Sequence, residues 1–124
     1  DSIEYFLFPN AFFFPGLSLP MVYRFRPDPE SPDHSYFDLI FMRPRPAEGE
    51  SPAPPEVIEL DIDESYSTVE GVGPLGRIYD QDTANLAAQT RGFKSGFKRG
   101  QTLGNYQEIR VRHLQKRVRD YLQT

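Results

Sequence analysis

Eleven of the twelve prolines lie before residue 56, and this asymmetry splits the chain into two parts that cannot share a secondary structure. Proline inside a helix removes a backbone donor and clashes with the preceding turn. Between the early prolines sit runs rich in Phe, Tyr, Val, Ile and Leu, the residue types that suit a pleated, half-buried surface. The spacing predicts three antiparallel strands, Ser2–Phe8, Ser18–Arg26 and Ser35–Met42. They are joined by loops over Pro9–Gly16 and Pro27–Asp33, whose prolines cannot donate to a ladder. Within Met21–Arg26, alternation puts Arg24 and Arg26 on one face and Tyr23 and Phe25 on the other, so the sheet has one dry side.

Residues 43–55 have little to bury and much to stiffen them, which reads as an exposed, partly polyproline loop. Val57–Ile62 alternates apolar and acidic residues as a short edge strand would, and Asp63–Gly76 is turn-rich. After Gly76 the pattern becomes helical. A helix is predicted over Tyr79–Arg91, with Asp80 and Asp82 in its first turn and Gly92 as its C-terminal cap. A longer helix follows over Asn105–Leu122, opened by an Asn105/Glu108 capping box and at least four turns long. Its stripe of Tyr106, Ile109, His113 or Leu114, Val118 and Tyr121 packs on the sheet. Strands followed by helices, with no internal repeat, indicate an α+β fold.

Composition narrows the chemistry. The chain has no Cys, which excludes disulfides, thiolate zinc sites and a resident iron–sulfur cluster and suits a cytoplasmic protein. Its two imidazoles, His34 and His113, are far apart in sequence, so no short segment carries a His pair for a metal. Residues 1–70 hold 4 basic and 14 acidic side chains and residues 71–124 hold 10 and 4. The opposite charges sit in one chain, and no basic stripe is interleaved with aromatics, so no nucleic-acid partner is expected. Prolines and glycine interrupt the apolar stretch Tyr5–Val22, so no membrane span is expected either. The chain opens on strand-like residues without a Met, as a piece of a longer protein would.

Several motifs have plain structural readings. Gly71-Val-Gly-Pro-Leu-Gly76 spells a dinucleotide-loop pattern. Pro74 removes a donor the phosphate needs, however, and neither a βαβ unit nor a later ribose-binding acid follows, so it reads as a tight turn. Asp61 and Asp63 lack the Gly and Glu of a calcium loop. Asp80 and Asp82, two apart on a helix, diverge by about 200° and do not converge on one substrate. Asp80 reads as an N-cap and Asp82 as a dipole partner. His113 reads as a half-buried histidine, His34 as exposed, and Lys94, Lys98 and Arg99 as a solvated loop. These readings leave the function open.

The order of Phe8-Pro-Asn10, the Gly73-Pro-Leu-Gly76 turn, Gln81-Asp82 with Gln89 and Gly92, and the Glu108-bearing terminal helix resembles the C-terminal part of the catalytic domain in α subunits of Rieske-type aromatic ring-hydroxylating oxygenases. The resemblance spans nearly the whole chain. It implies a helix-grip (START-like) fold, a curved antiparallel sheet around a long C-terminal helix with an apolar cavity between them. It also implies a mononuclear Fe(II) held by two His and one carboxylate, the carboxylate falling at Asp82, where the positive end of the helix dipole favours an anion. Asn10, Val72 and Ile78 become pocket-lining positions, with Phe12 and Phe14 as further walls.

The family's His ligands and its [2Fe-2S] Rieske cluster belong to segments upstream of this chain. Residues 1–124 are thus expected to be the C-terminal portion of a catalytic domain, inactive alone and self-associating through exposed aromatics. The implied partners are an apolar or aromatic small-molecule substrate, a reductase or ferredoxin electron donor, and further α subunits in a homotrimer. The competing reading is a metal-free helix-grip module that binds an apolar small molecule.

Overall fold

The computed structural model describes residues 3–123. The order is β1 (Tyr5–Leu7), β2 (Ala11–Phe14), β3 (Met21–Asp28), β4 (Ser31–Phe41), a 3-10 turn (Tyr66–Thr68), α1 (Leu75–Thr83), α2 (Leu86–Ser95) and α3 (Ile109–Leu122). The class is α+β. Contacts divide it into two compact units, Pro52–Gln101 and the remaining described residues, 3–51 with 102–123. Ser2, the first residue of the expected opening strand, lies outside the described residues.

In the first unit the four strands form an antiparallel meander in the order β1-β2-β3-β4. Alternation sorts the side chains as expected. Register pairs Phe6 with Phe12, Phe12 with Tyr23 and Phe25 with Phe37, and the rings touch across all four strands. The centroid distances are 4.8 Å for Phe6–Phe12, 6.0 Å for Phe12–Phe25 and 4.9 Å for Phe25–Phe37, the last pair stacked. Such pairs add to sheet stability beyond the area they bury. On the opposite face the Asp38 carboxylate accepts from Arg24 Nε at 2.7 Å and from Arg26 Nε at 2.8 Å. The Arg26 guanidinium also lies 5.0 Å from the Tyr36 ring centroid.

Two expected loops are corrected. The Pro9–Gly16 stretch contains β2, because its prolines flank Ala11–Phe14 rather than interrupt it; the Phe8–Pro9 peptide bond in the turn before it is cis. The Pro27–Asp33 loop shrinks to a hairpin turn at Pro29-Glu30, and β3 and β4 run through Pro27 and Pro32. The bond from Phe25 N–H to the Asn10 carbonyl, 2.9 Å, shows that odd residues of β3 face β2. The last register partner on β2 is Ala11, opposite Arg24. Pro27 therefore points its missing donor past the end of β2 and costs no ladder bond.

Val57–Ile62 is not a strand. No helix or strand occurs over residues 42–65, and Val57, Ile58 and Ile62 are exposed, because among the described residues no neighbouring strand is there to satisfy that backbone.

The terminal helix is also shorter than expected, 14 residues or just under four turns. Arg112 takes both the Asn105 side-chain oxygen, at 3.1 Å, and its carbonyl, at 2.5 Å. Asn105 is thereby removed as a cap, and Glu108 occupies that position, accepting from the Gly104 N–H. The α3 stripe is not packed down on the sheet as expected: Leu114 is half-buried, while Ile109 and Val118 stay exposed. Tyr121 lies 4.9 Å from Phe8, while Tyr106 stays exposed.

The ion cluster sets an acid limit on the sheet. The hydrogen bond from Arg26, with Arg24 beside it, holds the Asp38 carboxyl down at about 2. Its folded value lies below its unfolded one, so the stabilisation is complete above the usual aspartate range and is lost as pH falls toward 2. Denaturant unfolding between pH 5 and 2, followed by circular dichroism, should show a falling midpoint. Asp38→Asn should cost about 1 kcal/mol at neutral pH and flatten that fall.

Candidate functional site

The second unit is organised around one carboxylate. Gly71 and Gly73 adopt φ of +90° and +58°, left-handed values that only glycine takes without strain, and they turn the chain into α1. Val72 between them is buried. The helix starts at Leu75, with Pro74 before it, which its fixed φ suits. Gly76 is therefore in the first turn of α1 and is buried against the 3-10 turn. A Cβ there would meet Ser67 Cα at 2.7 Å. One turn later Tyr79, 3% exposed, packs on Tyr66 with ring centroids 5.6 Å apart.

Asp80 completes this contact. Its carboxylate accepts from Ser65 Oγ at 2.7 Å, Ser67 Oγ at 2.7 Å and the Tyr66 N–H at 2.8 Å. The Ser65 hydroxyl foremost, then Ser67, holds the carboxyl below the usual range. Burial, and then the charge of Asp80, push the Tyr66 hydroxyl up. Asp80 is thus a clamp between α1 and the 3-10 turn, not the N-cap expected for it.

Asp82 differs in every respect. Two positions on, it points elsewhere on the helix. It is exposed, and none of the side-chain hydrogen bonds or ion pairs among the described residues involves its carboxylate. The expectation that it opens a helix is corrected: it is the eighth of nine residues in α1, so the positive end of that dipole is not beside it. What holds its position is the Asp80 clamp one half-turn earlier and the bond from Thr83 Oγ1 to the Tyr79 carbonyl, 2.8 Å.

The expected single helix Tyr79–Arg91 is two helices, broken at Ala84-Asn85 where Asp, Thr and Asn cluster, residues that compete with helical backbone bonding. Asn85 Oδ1 accepts from Gln89 Nε2 at 2.6 Å. Gly92 lies inside α2, which ends at Ser95 with Gly96 after it.

The other candidate positions divide between the units. Val72 is buried and Ile78 is 50% exposed on α1. In the first unit Asn10 is half-buried and donates Nδ2 to the Phe25 carbonyl at 2.7 Å, which ties the β1–β2 turn to β3. Phe12 and Phe14 are half-buried on the aromatic face. Phe12 also lines a groove of about 450 Å³ between the sheet and α3, with Glu4, Phe6, Ile109, Arg110, Val111, His113 and Leu114. The apolar period of α3 signals that lining, but a period alone does not tell packing from a cavity wall. His113 is exposed at the groove, not half-buried as its place beside the stripe suggested.

Among the described residues no three His, Cys, Asp or Glu side chains converge as a metal site. Asp82 fits a metal as one free, hard, anionic oxygen donor. Asp80 does not, because three donors already occupy its oxygens.

The packing around Gly76 is directly testable. Gly76→Ala forces a methyl into the Ser67 backbone and should cost about 1–3 kcal/mol. Amide exchange should show the lost protection concentrated in residues 65–83, with the β3–β4 amides unchanged.

A family model for the ring hydroxylating alpha subunit (catalytic domain) matches residues 1–124. Comparison with curated proteins and with solved structures gave no significant match. A match over the whole chain, on a fold of the expected α+β class, leads to one conclusion: the chain belongs to the catalytic-domain family of ring-hydroxylating oxygenase alpha subunits.

Proposed function

We propose that this chain supplies the carboxylate ligand, Asp82, of a mononuclear Fe(II) site in an oxygenase that hydroxylates an aromatic or other apolar substrate. The observation that carries this reading is the division of labour between Asp80, whose oxygens are taken by Ser65, Tyr66 and Ser67, and Asp82, which no neighbour engages. A bound iron would supply the activation of dioxygen. The chain's own part is to hold one anionic oxygen at a fixed place on a clamped helix and to provide apolar walls.

Asn10, Phe12, Phe14, Val72 and Ile78 are the proposed walls. Aromatic and aliphatic side chains there favour a flat apolar ring and exclude water. The two His ligands and the [2Fe-2S] Rieske cluster are assigned to an upstream part of the parent chain. Electrons come from NAD(P)H through a reductase or ferredoxin, and the α subunit assembles as a homotrimer. On this reading the 124 residues alone are inactive. No helix among the described residues is long and apolar enough to cross a membrane, and the proposed location is the cytoplasm.

Substitutions in the full-length enzyme test the ligand assignment. Asp82→Ala should abolish substrate oxidation and deplete the mononuclear iron while leaving both the Rieske spectrum and the melting temperature near wild type. Asp80→Ala should lower the melting temperature first, with iron lost only in proportion to unfolding. If Asp82→Ala keeps wild-type iron content and turnover, the ligand assignment is wrong, and the metal-free binding module becomes the better reading.

A further inference from the structure

Phe12, Phe14, Val72 and Ile78 are aromatic or aliphatic walls, but Asn10 is an amide. Its place is set by β3. Phe25 N–H donates to the Asn10 carbonyl at 2.9 Å, and Asn10 Nδ2 donates back to the Phe25 carbonyl at 2.7 Å. Residues opposed in this way direct their side chains to one face of a sheet, so Asn10 belongs with Phe12 and Phe25, whose ring centroids lie 6.0 Å apart. A carbonyl oxygen only accepts, so the tie to Phe25 also settles which end of the amide is which. Nδ2 is used, and Oδ1 is the atom left over. None of the hydrogen bonds among the described residues involves that oxygen. All of these contacts lie between the start of β2 and β3.

An acceptor beside two partly exposed rings discriminates between ligands. A flat ring laid against Phe12 and Phe25 strips water from Oδ1. A ring with no donor leaves that oxygen desolvated and unpaired, which is unfavourable, whereas a ring carrying an O–H or N–H replaces the lost water. Resting on the reading of Asn10 as a wall of the oxygenase pocket, we propose that its Oδ1 selects the substrate class: an aromatic ring bearing a hydrogen-bond donor, in preference to the same ring without one. Nδ2 positions the oxygen, and Oδ1 reads the substrate.

Methylation separates the donor from the ring. Anaerobic calorimetric titration of the full-length enzyme should show indole bound about tenfold more tightly than N-methylindole, or phenol about tenfold more tightly than anisole. The first pair tests an N–H donor and the second an O–H donor, so a preference confined to one pair identifies the donor the site takes. Asn10→Leu should abolish the preference, weakening the donor-bearing ring and tightening the methylated one, because the oxygen that a donorless ring leaves unpaired is gone. Asn10→Asp keeps an acceptor but has no donor for the Phe25 carbonyl, so it should lower the melting temperature and retain the preference. A role confined to the tie with Phe25 would lower the melting temperature in both variants and leave the wild-type ratios in Asn10→Leu, which overturns the proposal. Equal affinity within both pairs in the wild-type enzyme overturns it without any variant. If those rings are nevertheless oxidised, the oxygenase reading stands without this refinement; if no ring is bound or oxidised, both fail together.

Discussion

Strand alternation is the constraint from which the first unit follows. Once β3 pairs on both sides, Tyr23 and Phe25 must share one face and Arg24 and Arg26 the other. Each neighbour then has to match both faces. β2 answers with Phe12 and Phe14 on the dry side, and β4 with Phe37 and Leu39 there and Asp38 beneath the two arginines. A slip of one residue would set Asp38 among the rings and leave both guanidinium groups without their carboxylate. The Asp38 cluster is therefore worth more as a register device than as a source of net stability, since exposed ion pairs contribute little individually.

The second unit depends on a different interaction, the Asp80 carboxylate bridging α1 and the 3-10 turn. Gly76 permits the approach of the two backbones, Tyr79 and Tyr66 fill the space beside it, and Asp80 satisfies the donors that the turn would otherwise leave open. A carboxylate with three donors is occupied by structure. Its neighbour two residues on, turned by about 200° on the helix, inherits a fixed position without inheriting the bonds. That combination, rigid placement with free oxygens, is what a ligand needs.

How legible this was in the sequence depends on whether the deciding physics is local. The facing of Arg24 against Phe25 was readable because alternation is a property of any strand. So was the apolar stripe of α3, because its period is set by the helix itself. The prolines misled in one respect. Proline forbids a strand only where its missing donor is needed, and the direction in which Pro27 points depends on where β2 ends, which no local pattern states. α1 starts four residues before the position its composition signals, for a similar reason. Gly76 has the composition of a turn, and only its contact with Ser67 explains a glycine inside a helix. Because α1 starts at Leu75, Asp82 lies near the C-terminal end of the helix, away from the positive end of its dipole.

The core places a further demand on the molecule. Among the described residues only Met21, Val22, Val72 and Tyr79 are buried hydrophobics, two in each unit. A stable domain of this size needs packed layers, with each sheet face or helix stripe covered by another element. Here the β1–β2 end of the aromatic face has α3 beside it, whereas Phe25 at its β3 end is 41% exposed. Ring contacts along Phe6, Phe12, Phe25 and Phe37 organise that face without removing it from water. The same side chains that wall the groove beside Phe12 continue past it toward the β4 edge, so cover and cavity are parts of one apolar surface.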